Sequence, residues 1–397
     1  QVDGHLQMRG PGSFDVEAIE LYTSFRERLD QAQGISASER LELLESARTE
    51  IRETFVPAFV ALRDYLIDLK AVADSEASVH RFPDGLAYYA YLLDRETGTD
   101  LTAAEIHDLG LSEVARIQAE IRAAAAKLGY PEDISMAELA ERVSTDAGQI
   151  VGQPFLAEPE RLIAEVERAA APFFERLPDA EVIIQREPFG SAIGYYAPPP
   201  LDGSGPGVFY TNPDLAVPRH IVPTYIYHET IPGHHLQGAL ARELDLPTFR
   251  RDLTLNGYAE GWALYAERLA WEMGLYEEDP LGNLGRLEME LARAARLVVD
   301  TGLHTKGWSR QEAADYYTGA TGRPTSPAAM NRYVILPGQG CGYTIGLLEI
   351  LALRQRAMDR LGDAFDVKAF HDLVLGQGPM PVSTLERLVE AWLARVD

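Results

Sequence analysis

The chain has 397 residues, of which 46% are hydrophobic and 24% charged, a composition typical of globular rather than disordered proteins. Its formal net charge is −25 at pH 7. A surface this acidic repels phosphate groups and anionic lipids, so we expect neither nucleic acid nor a membrane among its partners. Cys341 is the only cysteine, which excludes a disulfide within the chain.

Residues 1–180 carry apolar side chains at three- and four-residue spacing, which predicts helices. Ser36 begins a Ser-x-x-Glu capping box, and Thr102 and Gly129 are suited to begin and end a long helix. Pro57 predicts a kink or a break in the helix that contains it.

The pattern changes in residues 181–215, where EVIIQREPF (181–189) alternates like a strand and Val208 to Thr211 is a second strand candidate. Residues 216–397 are again helical, interrupted at Pro337-Gly338. The sequence therefore predicts one mainly α unit over residues 1–397, with a small antiparallel sheet beside the histidine-bearing helix.

That helix holds an unusual concentration of potential metal ligands, in a chain with only nine histidines. Two histidines followed by a carboxylate from a later helix form the ligand set of many zinc hydrolases. The residues in question are His228, Glu229, His234 and His235 in YHETIPGHHLQ, followed by Glu260 in YAEGWALYAE.

The histidine spacing does not suit an unbroken helix, because the position four residues after His228 is Pro232. His234 would lie on another face, and His235 would be about 10.5 Å along the axis. A two-residue bulge at Pro232-Gly233 would bring His234 into the register of the next turn. We therefore prefer His234 as the second ligand and leave His235 as its alternative or as a residue that packs behind the site.

The two glutamates nearest the ligands suggest distinct roles. Glu229 follows ligand His228 and would act as general base on a water activated by one zinc ion. Glu267 lies two turns after Glu260 on the same helix face, where it would hydrogen-bond a ligand histidine. The alternative for Glu267 is a solvated side chain or an ion pair with Arg268.

These motifs, with VVDTGLH (298–304) and RYVILPGQGCGYTIG (332–346), resemble the bacterial domain-of-unknown-function family 885. That family is regarded as metallopeptidase-like, and it is similar at a distance to the angiotensin-converting-enzyme and oligopeptidase group of zinc peptidases. The resemblance extends to the tail at 365–386 and implies a helical zinc-peptidase-like fold. Family members are usually longer, so it also implies that an N-terminal portion is missing here.

The resemblance to the wider peptidase group implies particular residue roles. The Gly-His of its His-Glu-x-Gly-His pattern falls on Gly233-His234, and its third ligand falls on Glu260. Arg332-Tyr333 resembles the position where that group carries a hydrogen-bond donor to the transition state, and Tyr343 is a rival for this role.

A tetrahedral oxyanion needs a phenol or an imidazole donor beside the zinc, and three side chains qualify by type. They are Tyr333, Tyr343 and His304, each of which could instead be a core residue. Asp300 precedes His304 by four residues, so the two could share a hydrogen bond.

Substrate contacts are expected from three further residues. Gln339 would line the cleft at the Pro337-Gly338 interruption, and Arg332 could bind a terminal carboxylate through its forked guanidinium. Tyr210 lies in GVFYTN, which could be an edge strand that pairs with an extended peptide.

The leading hypothesis is a zinc-dependent peptidase or amidase acting on short peptides or acyl-amino compounds. The alternatives are a hydrolase of non-peptide amides or esters with the same site, and a non-catalytic peptide-binding protein. No phosphate-binding glycine loop suggests a second cofactor. We expect a cytoplasmic protein, with export as the alternative because the sequence begins at Gln1 rather than Met.

Overall fold

The computed structural model describes residues 15–187 and 193–396. The predictions that concern residues 1–14 and 188–189 lie outside this part. Contacts divide the chain into two compact units, one ending at Glu76 and one beginning at Ala77, where the sequence suggested a single unit. The division falls where a helix ends at Val72 and residues 73–77 run without regular structure.

Within its described residues, 15–76, the first unit contains three α-helices. The predicted capping box begins the second of them: Glu39 N–H donates to the Ser36 hydroxyl, and Ser36 N–H donates to the Glu39 carboxylate. Pro57 lies in the first turn of the helix that begins at Val56, and the π-helical turn Ile51–Phe55 directly before it interrupts the α-helical pattern without ending the helical path of the chain. The helices are α1 (Glu20–Gln31), α2 (Ala37–Glu50) and α3 (Val56–Val72).

The second unit is mainly helical, and its first long helix begins at a capping box of Thr102 and Glu105. Its helices are α4 (Gly85–Thr97), α5 (Ala103–Lys127), α6 (Met136–Ala147), α7 (Gln153–Ala170), α8 (Val222–Glu229), α9 (His234–Glu243), α10 (Thr248–Arg251), α11 (Asn256–Glu272), α12 (Pro280–Thr305), α13 (Arg310–Thr321), α14 (Asn331–Ile335), α15 (Gln339–Leu361), α16 (Val367–Leu375) and α17 (Val382–Val396).

The strands are β1 (Gln149–Ile150), β2 (Val182–Arg186), β3 (Gly194–Ala197), β4 (Gly207–Thr211) and β5 (Val217–Pro218). β2, β4 and β3 form a small sheet in that order, antiparallel between β3 and β4 and parallel between β2 and β4. This confirms the predicted class, mainly helical with a small sheet. The prediction of an edge strand in GVFYTN is wrong, because β4 is paired on both sides and the edge strands of this sheet are β2 and β3.

The helices α11 and α15 cross at contact distance because glycines meet there. A Cβ on Gly261 would lie 2.5 Å from the Gly346 backbone, and one on Gly346 would lie 1.9 Å from the Gly257 carbonyl oxygen. The flanking core includes Trp262 and Tyr265, both fully buried. The crossing therefore fixes α11, which carries Glu260, directly against α15.

We expect Gly346→Ala to destabilise the protein by about 1–3 kcal/mol, since the added methyl overpacks a backbone contact. Gly319→Ala is the matched control: a Cβ there meets nothing within 4 Å, and the exposed helical site should gain about 0.5–1 kcal/mol. Urea unfolding of both variants measures the difference. Equal urea midpoints for the two variants would contradict the close backbone contact between α11 and α15.

Candidate metal centre

The helix that carries the histidines is interrupted between Glu229 and His234, where α8 ends and α9 begins. Gly233 N–H donates to the Tyr227 carbonyl at 3.0 Å, and a Cβ on Gly233 would lie 2.0 Å from the His228 carbonyl oxygen. Trp262 Nε1–H donates to the Pro232 carbonyl at 2.9 Å. The interruption is thus a full break of four residues rather than the predicted two-residue bulge.

The break brings together the three predicted metal ligands. One ligand atom from each of His228, His234 and Glu260 lies within 4.8 Å of the others. Glu260 Oε2 is 3.5 Å from His228 Nε2 and 3.4 Å from His234 Nε2. Donor atoms around a tetrahedral zinc lie about 3.3–3.6 Å apart, so both distances match an edge of that tetrahedron.

The environment of Glu260 also fits a metal. Its Oε2 atom is buried and accepts no hydrogen bond from the described residues. Burial raises the pKa of Glu260, but His234 and His228 more than offset this and hold it well below its usual range. A buried oxygen with negative charge and no donor, facing two imidazole nitrogens, is a ligand set suited to zinc.

The other ring nitrogen of His228 is held from behind. Nδ1–H donates to Glu267 Oε1 at 2.8 Å, and Arg293 Nη2 lies 3.3 Å from the same oxygen. Burial lowers the pKa of His228, but Glu260 and Glu267 outweigh it and raise the value to about 9. In the neutral ring that a metal ligand requires, this hydrogen bond keeps the remaining proton on Nδ1 and leaves Nε2 free. Arg268 lies nearest Glu290 instead, at 3.9 Å.

His235 points away from this group. It is 1% exposed, and its Nδ1 is 3.0 Å from the Tyr196 hydroxyl of β3. Burial lowers its pKa to about 4, so the ring is neutral. His235 therefore packs α9 against the sheet, which was its alternative role.

Glu229, the expected general base, lies beside the sheet edge. Its Oε2 accepts from the Tyr196 N–H of β3 at 3.0 Å, and the side chain is 9% exposed. One turn earlier on α8, the Tyr225 hydroxyl donates to the Gly194 carbonyl of the same strand. The outer edge of β3 thus positions the Glu229 carboxylate through a backbone donor.

Of the two tyrosines, Tyr343 is the one whose charge state Glu260 affects. Burial and the Glu260 carboxylate raise the pKa of Tyr343, while the Arg296 guanidinium lowers it. Tyr333 packs in an apolar cluster, and burial raises its pKa to about 12. The structure therefore places Tyr333 in the core, and the site roles of Tyr343 and Gln339 stay predictions.

The expectation for His304 is corrected by its surroundings. The ring is fully buried, Nδ1 accepts from the Val79 N–H at 3.2 Å, and Nε2–H donates to the Tyr333 carbonyl at 3.0 Å. Both nitrogens are engaged by the main chain, so His304 has none left for an oxyanion.

The predicted hydrogen bond between Asp300 and His304 does not form, because Asp300 has other partners. Its Oδ1 accepts from the Tyr89 hydroxyl at 2.6 Å and from the Gly338 N–H at 2.9 Å. Burial raises the pKa of Asp300 to about 7, although both hydrogen bonds oppose the rise. Asp300 therefore anchors the start of α15 from within the core.

The remaining predicted substrate residues lie in different settings. Arg332 is exposed, and its Nη2 donates to Gln339 Oε1 at 3.1 Å. Tyr210 stacks on Tyr195 with ring centroids 4.9 Å apart, on a strand paired at both edges. Their substrate roles stay predictions.

Residues at or behind the site that sequence reasoning did not find include Tyr196, Tyr225, Trp262, Arg293 and Arg296. The two arginines carried a usable signal, because both interrupt the apolar face of LARAARLVVD in α12. A charge on such a face needs a partner or a ligand. Tyr225 and Trp262 carried none, since their roles depend on tertiary contacts.

The fold and the site together define a mainly helical protein with a two-histidine, one-glutamate candidate metal centre. The chain belongs to the bacterial family of proteins of unknown function DUF885, whose model matches residues 6–389. This confirms the predicted family. No curated protein matches the chain.

Solved structures resemble the fold over nearly its whole length. The chain is 34% identical to a candidate lipoprotein from Colwellia psychrerythraea, with a TM-score of 0.93 over 99% of this chain and 69% of that one. A candidate lipoprotein of unknown function from Shewanella oneidensis is 19% identical, with a TM-score of 0.69 over 92% of this chain and 69% of that one.

An M32 carboxypeptidase from Deinococcus radiodurans R1 is more distant. It is 14% identical, with a TM-score of 0.41 over 99% of this chain and 86% of that one, too low to carry an argument. None of these likenesses supports the expected cytoplasmic location. Within residues 15–187 and 193–396, no helix has both the length and the apolar character that crossing a bilayer requires.

After incubation with zinc and dialysis, we expect the wild type to retain about one ion per chain, because three donors converge on one point. His228→Ala, His234→Ala and Glu260→Ala should each lose it, and the control His235→Asn should keep it. Metal content by mass spectrometry measures this. Zinc retained by His234→Ala but lost by His235→Asn would move the second ligand.

Asp300 should make the protein less stable as pH rises. Its folded pKa of about 7 exceeds the ordinary value of about 4, so the folded state holds the proton more tightly. That stabilisation is complete below pH 4 and is lost between about pH 4 and 7, at up to about 1.4 kcal/mol per unit.

Asp300→Asn keeps an acceptor oxygen but cannot ionise, so its unfolding free energy should fall less over this pH range. Urea unfolding of both proteins in chelator, at several pH values, isolates the Asp300 contribution. Parallel pH profiles would show that the Asp300 charge has no such effect.

Proposed function

We propose that the protein is a zinc-dependent hydrolase of amide bonds in short peptides or acyl-amino compounds. The observation that carries this proposal is the Glu260 oxygen, buried and without a donor, 3.5 and 3.4 Å from the Nε2 atoms of His228 and His234. These three residues would hold the ion. When bound, zinc supplies a Lewis acid that polarises a carbonyl and lowers the pKa of a water to about 7.

Glu229 is the proposed general base. It neighbours ligand His228 in sequence, and the Tyr196 N–H holds one of its oxygens at 3.0 Å, which fixes its orientation. The carboxylate accepts a proton as water adds to the carbonyl carbon. It then delivers that proton to the amide nitrogen as the C–N bond breaks, so that acid and amine leave with atoms balanced.

Tyr343 is the proposed donor to the developing oxyanion. Burial and the nearby Glu260 charge raise its pKa, so the phenol keeps its proton at neutral pH. The O–H is therefore available to donate to a developing oxyanion. The buried Tyr333 remains the rival donor.

We also propose that the protein is exported. The relative from Colwellia psychrerythraea, 34% identical over 99% of this chain, is described as a candidate lipoprotein. The absence of any possible disulfide, given Cys341 alone, is compatible with either side of a membrane.

Glu229→Gln should lower the hydrolysis rate of a susceptible peptide by about 10²–10⁴-fold, because the amide cannot take the proton. It should leave zinc content unchanged, since Glu229 is not a proposed ligand. A mixed library of short peptides, followed by mass spectrometry of the products, measures the loss, with zinc content determined on the same samples.

The library also separates the alternatives. Hydrolysis of aryl esters or non-peptide amides without any peptide cleavage would favour the other hydrolase class. Zinc binding with peptide binding but no turnover in the wild type would favour a binding protein. A fully active Glu229→Gln would remove the residue from its proposed role.

A further inference from the structure

Two arginines of α12, Arg293 and Arg296, border the candidate metal centre and differ in burial and in their partners. Arg293 is sealed in the interior, with Nη2 3.3 Å from Glu267 and Nη1 donating to the Met289 carbonyl at 3.0 Å. Arg296, one turn later, is only partly buried and forms no hydrogen bond or ion pair with any residue that the structure describes. The chain has 61 acidic and 36 basic residues, so a cation without a carboxylate is unexpected here.

The surroundings of Arg296 hold it in place without neutralising it. Its guanidinium carbon lies 4.7 Å from the centroid of the Tyr343 ring, a cation–π contact that fixes the plane of the fork. Burial lowers its pKa, and the phenols of Tyr333, Tyr343 and Tyr317 with the Glu260 carboxylate raise it, so the group stays charged. Its guanidinium nitrogens keep some solvent exposure, so a substrate group can reach them.

This position is close to the proposed chemistry. Tyr343, the proposed oxyanion donor, carries the guanidinium on its ring. One turn earlier on α12, Arg293 contacts Glu267, which bonds the proposed ligand His228, so Arg296 lies on the part of α12 that borders the centre. A partly desolvated guanidinium without a counter-ion is unfavourable until an anion arrives. Its rigid fork matches a carboxylate, which it binds through two parallel hydrogen bonds.

We propose that Arg296 binds a carboxylate of the substrate, and that the enzyme prefers substrates with a free carboxylate next to the cleaved amide. This inference rests on the proposed hydrolase function and specifies its substrate class. The carboxylate could be the C-terminal group of a peptide or acyl-amino acid, or the side chain of an acidic residue. Both present the same chemistry, and matched substrates separate them.

The test compares three substrates that share one cleavable bond: a dipeptide-length N-acyl peptide with a free C-terminus, its C-terminal amide, and an amide with glutamate in the last position. The wild type should cleave the free acid with the highest kcat/KM. Arg296→Gln should lose about 10- to 100-fold on the free acid, mainly in KM, and little on the amide. Arg296→Lys should fall between them, because it keeps the charge without the fork.

Arg356→Gln is the matched control, with the same change of charge on the exposed part of α15, where Arg356 pairs with Glu386 and Glu390. It should not alter the preference. Zinc content and thermal unfolding of each variant verify that the site and the fold persist. Arg332→Gln is a further arm: loss of the preference there, with Arg296→Gln unaffected, would overturn the proposal in favour of the other arginine.

A binding measurement keeps the outcome separate from turnover. Calorimetric titration of the Glu229→Gln protein with N-acetyl-leucine and with N-acetyl-leucinamide should show tighter binding of the acid, abolished by Arg296→Gln. Equal cleavage of acid and amide by the wild type would overturn the Arg296 inference and leave the hydrolase intact. No cleavage of any substrate despite bound zinc would instead remove the proposed function, while a persistent preference in binding would still support Arg296 as a carboxylate site. Preference for the glutamate amide would identify an acidic side chain as the source.

Discussion

The whole centre depends on the break between Glu229 and His234. In a continuous helix His228 and His234, the two proposed ligand histidines, would face different directions, since successive residues turn by about 100°. Gly233 makes this break possible, because its backbone passes close to the His228 carbonyl oxygen, where a Cβ atom would not fit. Trp262 stabilises it by donating to the Pro232 carbonyl. The backbone conformation at the break is therefore what brings the side chains of His228 and His234 together.

The helix α11 serves several parts of the centre at once. Glu260 faces the histidines, Trp262 bonds the break, and Glu267 bonds the rear of His228. Gly261, between the first two, lets the same helix touch α15. Because α15 carries Tyr343, the crossing sets the spacing between the proposed ligand Glu260 and the proposed oxyanion donor. The helix α11 therefore determines both the packing of the core and the spacing of side chains in the candidate site.

The sequence predicted what depends on neighbours along the chain. The capping boxes at Ser36 and Thr102, the helical class and the grouping of His228, His234 and Glu260 all follow from local pattern or spacing. It failed where remote contacts decide. The local sequence does not indicate which short strand becomes the central strand of the sheet.

The same limit explains His304 and Asp300. Their four-residue spacing suggested a mutual bond, but each found a stronger partner elsewhere: His304 bonds the Val79 N–H and the Tyr333 carbonyl, and Asp300 bonds Tyr89 and Gly338. Buried polar groups take whichever partners the assembled core provides. A helical spacing identifies only which pairs are possible.

The charges of the centre also explain how an acidic protein could accept an acidic substrate. Arg293 neutralises Glu267, so the carboxylate charges left near His228 are those of Glu260 and Glu229. The net charge of −25 repels anions at a distance, but salt screens such repulsion beyond about 8 Å. Within that range Arg296, which pairs with none of the described residues, supplies a local positive charge whose field acts through a partly dehydrated site. A cation without a partner is therefore consistent with local recognition of a carboxylate on an otherwise repulsive surface.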